Sequence, residues 1–296
     1  MLYQAGQLRT ADMEDSMGTV FLVIQELIWN VLQMLPKAGP TLIGFLDGSF
    51  KDIRDCTSDL LNCTLVREPY GSLDDSKQIP GSARRALDIF KSLKKIPRTN
   101  SEAIRMSLLR ILKDINSVIS EIEAATLSSG KSEEQSSMGY KQGQENEEAG
   151  NNREYSQEEQ EAITALVIGT LSFAFATVSY LISVVKFGDA EPYYGPGFVM
   201  CMEHELSQSI KLKNVIYKIK DYLFPLREVE KILKLADEMN EIVDSMERLL
   251  GPYMSIWPGF YRRIYLSICN AIQELQDALS KLLTPEDRHQ AVGASN

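Results

Sequence analysis

Apolar residues recur at alternating spacings of three and four through Ile104, Leu108, Ile111, Ile115, Val118, Ile122 and Ala125. The same rhythm returns through Val229, Ile232, Ala236, Met239, Val243, Met246 and Leu250, and again through Ile264, Ile268, Ala271, Leu275, Ala278 and Leu282. That spacing predicts amphipathic helices. Leu112, Leu233 and Ile272 widen each stripe, as in globular bundles, beyond a narrow coiled-coil seam. Punctuation predicts further helices. Pro36 and Gly39-Pro40 close an apolar helix from about Met17 to Leu35, and Ile96-Pro97 closes a basic one that begins near Ser82. Ser101-Glu102 starts the next, "GDAEPYYGPG" reads as a loop, and Gly251-Pro252 and Trp257-Pro258-Gly259 separate the last two helices. No alternating apolar-polar run is long enough to predict a strand.

One stretch breaks the amphipathic pattern. From Ala162 to Val185 there are 24 residues without a charge, long enough to cross a bilayer as a helix. Seven of the 24 carry hydroxyls. Ile168, Leu171, Phe175, Val178, Ile182 and Val185 form a large apolar stripe, and Ile163, Val167, Ala174 and Leu181 lie on another side. Ala165, Gly169, Ser172, Ala176, Ser179 and Ser183 form a stripe of small residues, across which another backbone would approach closely. No aromatic belt and no basic cluster flank the run, so it is read as the buried spine of a helical bundle rather than a membrane span.

Charge then divides the chain. The net charge of the 296 residues is −10, but residues 128–161 hold nine Glu against Lys131, Lys141 and Arg153, so six of those negative charges lie in one segment. That segment has no Leu, Ile, Val or Phe to offset its ordering entropy and is expected to be a disordered linker. The expected organisation is an N-terminal helical bundle over 1–127, an acidic linker over 128–156, a C-terminal bundle over 157–284 and a flexible tail over 285–296. The near-neutral remainder argues against a dedicated nucleic-acid binder. Cys56, Cys63, Cys201 and Cys269 form no CxxC pair, which fits a reducing, intracellular setting.

Catalytic and metal-binding patterns are sparse. Met202-Glu203-His204-Glu205 lacks the HExxH spacing and a second nearby histidine, so His204 is read as a solvated residue at a helix start. No GxSxG, Walker or GxGxxG motif occurs. No enzyme, cofactor or metal site is expected. Arg84, Arg85, Lys91, Lys94, Lys95 and Arg98 make one helix basic, either a solvated face or a patch for an acidic protein partner. In the first helix, Val20 to Leu35 spread apolar side chains, Trp29 among them, around the whole circumference. Such a helix needs cover on every side.

Four stretches in order carry a family resemblance: "VLQMLPKAGPTLIGFLDGSFKDIRD", "LKKIPRTNSEAIRMSLLRILKDI", the acidic segment resuming as "REYSQEEQEAITAL", and "LADEMNEIVDSMERLLGPYMSIWPG". Together they resemble the cyclin-D-binding family, also described as cyclin-D-interacting helix-loop-helix proteins. The resemblance implies an all-α protein of two antiparallel helical bundles of vinculin/catenin-like architecture. It also implies a cytoplasmic and nuclear regulator without catalysis, which binds a D-type cyclin or a related partner and restrains cell-cycle progression. A helical scaffold associated with cytoskeleton or membrane is the alternative. The stretch before Met17 is shorter than the family usually carries, so the first helix is expected to self-associate through residues 17–35 or to be held by a partner helix.

Overall fold

The computed structural model describes residues 25–65, 95–129, 155–188, 196–224, 228–256 and 258–283, together with residues 18, 22, 84, 85, 88, 89, 91–93 and 226. The described residues are almost all helical and include no strand. We number the helices α1 (25–34), α2 (Pro40–Leu65), α3 (84–93, described in part), α4 (Asn100–Ser129), α5 (Gln157–Gly188), α6 (Pro196–Leu223), α7 (Val229–Leu250) and α8 (Pro258–Leu282). The protein is all-α, as the periodicity predicts.

The chain divides into compact units of residues 1–103 and 104–296. This differs from the division expected at the acidic segment. The reason is the α4 seam: Ile104, Leu108, Ile111, Ile115, Val118 and Ile122 are buried in one core with α5 to α8. A stripe that is apolar along its whole length joins whichever core covers it, whatever the composition of the connection that follows. α4 also continues through Ser128 and Ser129, inside the stretch assigned to the linker. The rest of that segment, residues 130–154, and the tail from 285 lie outside the described residues.

Helix starts in the larger unit follow from local chemistry. At α5 the Ser156 hydroxyl accepts the Glu159 N–H at 3.2 Å while the Glu159 carboxylate accepts the Ser156 N–H at 2.8 Å, a complete capping box. At α4 the cap is Thr99, one position before Asn100: its hydroxyl accepts the Glu102 N–H at 3.1 Å. At α6, a Cβ on Gly197 would lie 2.9 Å from the Tyr253 hydroxyl, so a larger residue there would make the Tyr253 side chain shift. That closeness lets the Tyr253 ring pack edge-on against Phe198, at 5.8 Å between centroids.

Each of α5, α6 and α7 packs on the next, and α8 closes the ring on α5. Pairings fix the directions. Thr170 of α5 reaches the Ala271 carbonyl of α8, while Tyr180 stacks near Phe260 and Tyr261, so α5 and α8 run antiparallel. Cys201–Leu249 and His204–Ser245 do the same for α6 and α7, and Asp237–Gln276 and Asp244–Tyr265 for α7 and α8. Helix α4 joins α6 in parallel: Asp114 meets Lys213 at 3.3 Å and Glu121 meets Lys220 at 2.8 Å, each pair seven residues beyond the last. Such partly exposed pairs contribute about 0.2–1 kcal/mol each and set register more than stability.

The apolar run lies in α5. Its buried side is Ile163, Val167, Leu171, Ala174, Val178, Leu181 and Val185, a blend of the large stripe and the third side. The small-residue stripe does not receive a neighbouring backbone. Ala165, Ser172 and Ser183 are exposed, and a Cβ on Gly169 would meet nothing within 4 Å. Shape decides this: branched side chains gain more from burial than Ala or Ser, so they take the core side. Buried hydroxyls satisfy themselves locally. Thr164, Thr170 and Thr177 donate to the carbonyls of Gln160, Leu166 and Phe173 at 2.7, 2.9 and 2.9 Å. The α5 helix is long and apolar enough to cross a membrane, and 44 % of its most apolar window is buried against its neighbours.

Candidate protein-docking site

In the first unit, the α1–α2 corner is built by prolines and an asparagine. Leu35–Lys37 forms a 3-10 turn containing Pro36, and Pro40 opens α2, where its missing N–H would have had no helical partner. Asn100 fastens the corner. Its Oδ1 accepts the Gly39 N–H at 2.6 Å and its Nδ2 donates to the Lys37 carbonyl at 2.9 Å. The core beneath is small: Val31, Leu42, Leu46 and Ala103 are buried, with Met34, Phe45, Phe50 and Ile96 packed around them.

Two apolar surfaces remain. The first is a groove of about 280 Å³ whose walls are Leu27, Val31 and Met34 of α1, Leu46, Phe50 and Ile53 of α2, and Leu93, Ile96 and Pro97 at the end of α3. Asn30, Ser49 and Arg98 are the polar groups on its lining. The second is the outer side of α1. Leu22 is 67 %, Ile28 43 %, Trp29 62 % and Leu32 54 % exposed. At 100° per residue, Ile28, Trp29, Leu32 and Leu35 share an arc that turns away from Leu27, Val31 and Met34. The expectation that the first helix is short of cover is therefore met on this arc.

The basic residues of α3 are placed unevenly. Arg85 pairs with Asp59 at 3.3 Å and Lys91 with Asp88 at 3.8 Å, which removes both from a uniformly positive patch. Arg84 and Lys95 are exposed, and the Lys94 side chain lies outside the described residues.

A second polar constellation sits in the core of the larger unit, where sequence reasoning saw none. His204 is neither at a helix start nor solvated. It is the ninth residue of α6, partly buried, with Nε2 3.3 Å from the Ser245 hydroxyl and 2.9 Å from Gln208 Nε2. Its neighbour Glu205 is fully buried, and neither carboxylate oxygen has a hydrogen-bond partner. Burial pushes the Glu205 carboxyl up to about 8. Burial, then the nearby Glu205 charge, pushes the Cys201 thiol up to about 12. Burial likewise raises the Tyr261 phenol, with Glu205 and Glu247 adding to it. No cluster of three or more potential ligands that would hold a metal occurs among the described residues. Four glutamates lie on α6 or in its connections, and only three-dimensional packing distinguishes Glu205 from the rest. The signal available in sequence is its i+4 relation to Cys201 and Ser209, which puts it on the buried side of the helix.

Residues 1–127 match the family model described as "Grap2 and cyclin-D-interacting, N-terminal". This region is similar to the N-terminal part of the cyclin-D-interacting family. The matched residues take in the groove, the exposed α1 arc and the seam of α4 as far as Leu127, and end before the acidic segment. No curated protein matches the chain.

Proposed function

We propose that the protein is a non-enzymatic regulator that binds a D-type cyclin, or a related cell-cycle or helix-loop-helix partner, and holds back cell-cycle progression in cytoplasm and nucleus. The carrying observation is that the family match takes in the whole unit that exposes an apolar helix face beside an open apolar groove, and runs on through α4. Exposed apolar surface of that kind marks protein interfaces in soluble proteins. In a cyclin-D kinase assay, the full chain should lower phosphorylation of a retinoblastoma fragment and remain stoichiometric, with no turnover. Undiminished phosphorylation at saturating protein would reject the regulatory claim.

The outer arc of α1 supports self-association through residues 17–35 as a companion property, with Trp29 at its centre. A second reading rests on α5, whose length and composition suit a bilayer. In it the protein is a helical scaffold at a membrane or cytoskeletal surface, consistent with the vinculin/catenin-like architecture that the resemblance implies. Carbonate extraction separates the two: release into the supernatant supports the bundle reading, and retention in the pellet supports the scaffold.

A further inference from the structure

We propose that the groove between α1, α2 and the end of α3 receives one amphipathic helix whose apolar stripe is flanked, at one end, by acidic residues. The proposal rests on the reading of the first unit as a docking site and names the chemistry of what docks. The groove walls are apolar on all three sides, and among the described residues of its lining Arg98 is the one that carries a charge. Arg98 is exposed and has no ion pair among the described residues. The Glu102 carboxylate accepts the Arg98 backbone N–H at 2.8 Å as part of the α4 cap and forms no ion pair with the Arg98 guanidinium. The groove is thus apolar along its walls and positive where Arg98 lines it.

That combination selects an occupant. Helices lie in such grooves with anchors at i, i+3, i+4 and i+7, and acids beside the stripe meet the positive end. Arginine at the rim also suits a carboxylate better than lysine would, because its planar fork bonds both oxygens.

The test uses the full chain and two fluorescein-labelled 18-residue helical peptides sharing one Leu stripe, one with Glu flanking its end and one with Lys. The Glu peptide should bind about tenfold more tightly at low salt, the preference shrinking as salt is added. Arg98→Glu should invert the order, a result that simple loss of structure cannot give. Asn30→Trp, which fills the groove from its rim, should abolish binding of both peptides, whereas Trp29→Glu on the outer arc should leave the Glu peptide bound. Equal binding of the two peptides, binding that survives Asn30→Trp, or no binding would overturn the proposal. So would Asn30→Trp abolishing self-association while peptides never bind, which would give the groove to a second copy. D-type cyclin is titrated in parallel. If cyclin binds Asn30→Trp and Arg98→Glu as well as it binds the natural chain, the groove is not its site but the cyclin reading stands. Peptide binding without cyclin binding leaves the groove proposal intact and rejects the cyclin.

Discussion

Replacing Glu205 by Met should stabilise the larger unit, and by an amount that grows with pH. In the folded protein the carboxyl is fully buried, bonded to nothing and held near 8, against an ordinary value of 4.5. Burial is the cause of the shift; the Glu205 charge is felt by Cys201 on its own helix and by Tyr261 of α8, and neither is a cation. The folded state therefore holds the proton more tightly than the unfolded chain does. A raised acid contributes no penalty below about pH 4.5, and the fold loses stability as pH climbs from there towards 8. At about 1.36 kcal/mol per unit, the loss at pH 7 is about 3 kcal/mol, rising to about 5 kcal/mol above pH 8. Met keeps the length and lacks the charge, and repacking costs less than about 1.5 kcal/mol. Urea unfolding of the full chain followed by circular dichroism at pH 5 and pH 7.5 reads the difference. The expected result is near-equal stability of the two proteins at pH 5 and a gain of about 2–3 kcal/mol for Glu205→Met at pH 7.5. A variant that is destabilised equally at both pH values would show that Glu205 is charged and paired in the fold, and would refute the argument.

Other substitutions separate the faces described above. Ser172→Leu should shift the melting temperature little, within about 0.5 kcal/mol, because Ser172 is exposed; Leu171→Ala, one residue away and fully buried, should cost about 2–5 kcal/mol. Asn100→Ala removes both bonds that fasten the α1–α2 corner and should cost about 1–3 kcal/mol in thermal unfolding. Trp29→Glu should leave helix content unchanged while reducing the mass measured by light scattering at micromolar concentration; an unchanged mass, or a natural chain that is already monomeric, would remove self-association through α1.

The legible parts of the sequence were those written in periodicity. The seams of α4 and α7 predicted which side chains are buried, since a 3-4 stripe has one way to leave water; on α8 only Ile268 and Leu275 of the predicted stripe are buried, and the buried line runs instead through Ile272, Leu279 and Leu283. The division of the chain was not legible. An acidic, aliphatic-free stretch after Ser129 looks like a boundary between bundles, but Ile104 to Ile122 pack with helices that follow it, and partner choice between two apolar stripes leaves no mark in either. In α5 nearly every position is apolar or small, so periodicity does not choose a side; side-chain volume does, and the small stripe faces outward. Half of the candidate site was visible. The all-round apolar first helix announced an uncovered face, and Trp29 lies on it. The basic run promised a patch, yet Asp59 and Asp88 pair with two of its members, while Arg98, at the run's end, is the one among the described residues that lines the groove.

The most direct measurement is calorimetric titration of purified D-type cyclin into the full chain, the natural sequence beside Trp29→Glu, Asn30→Trp and Glu205→Met. The account predicts saturable binding that at least one of the two α1 substitutions weakens by about tenfold or more and that Glu205→Met leaves unchanged. No saturable heat with the natural chain, or binding that depends on Glu205 and on neither α1 residue, would contradict it.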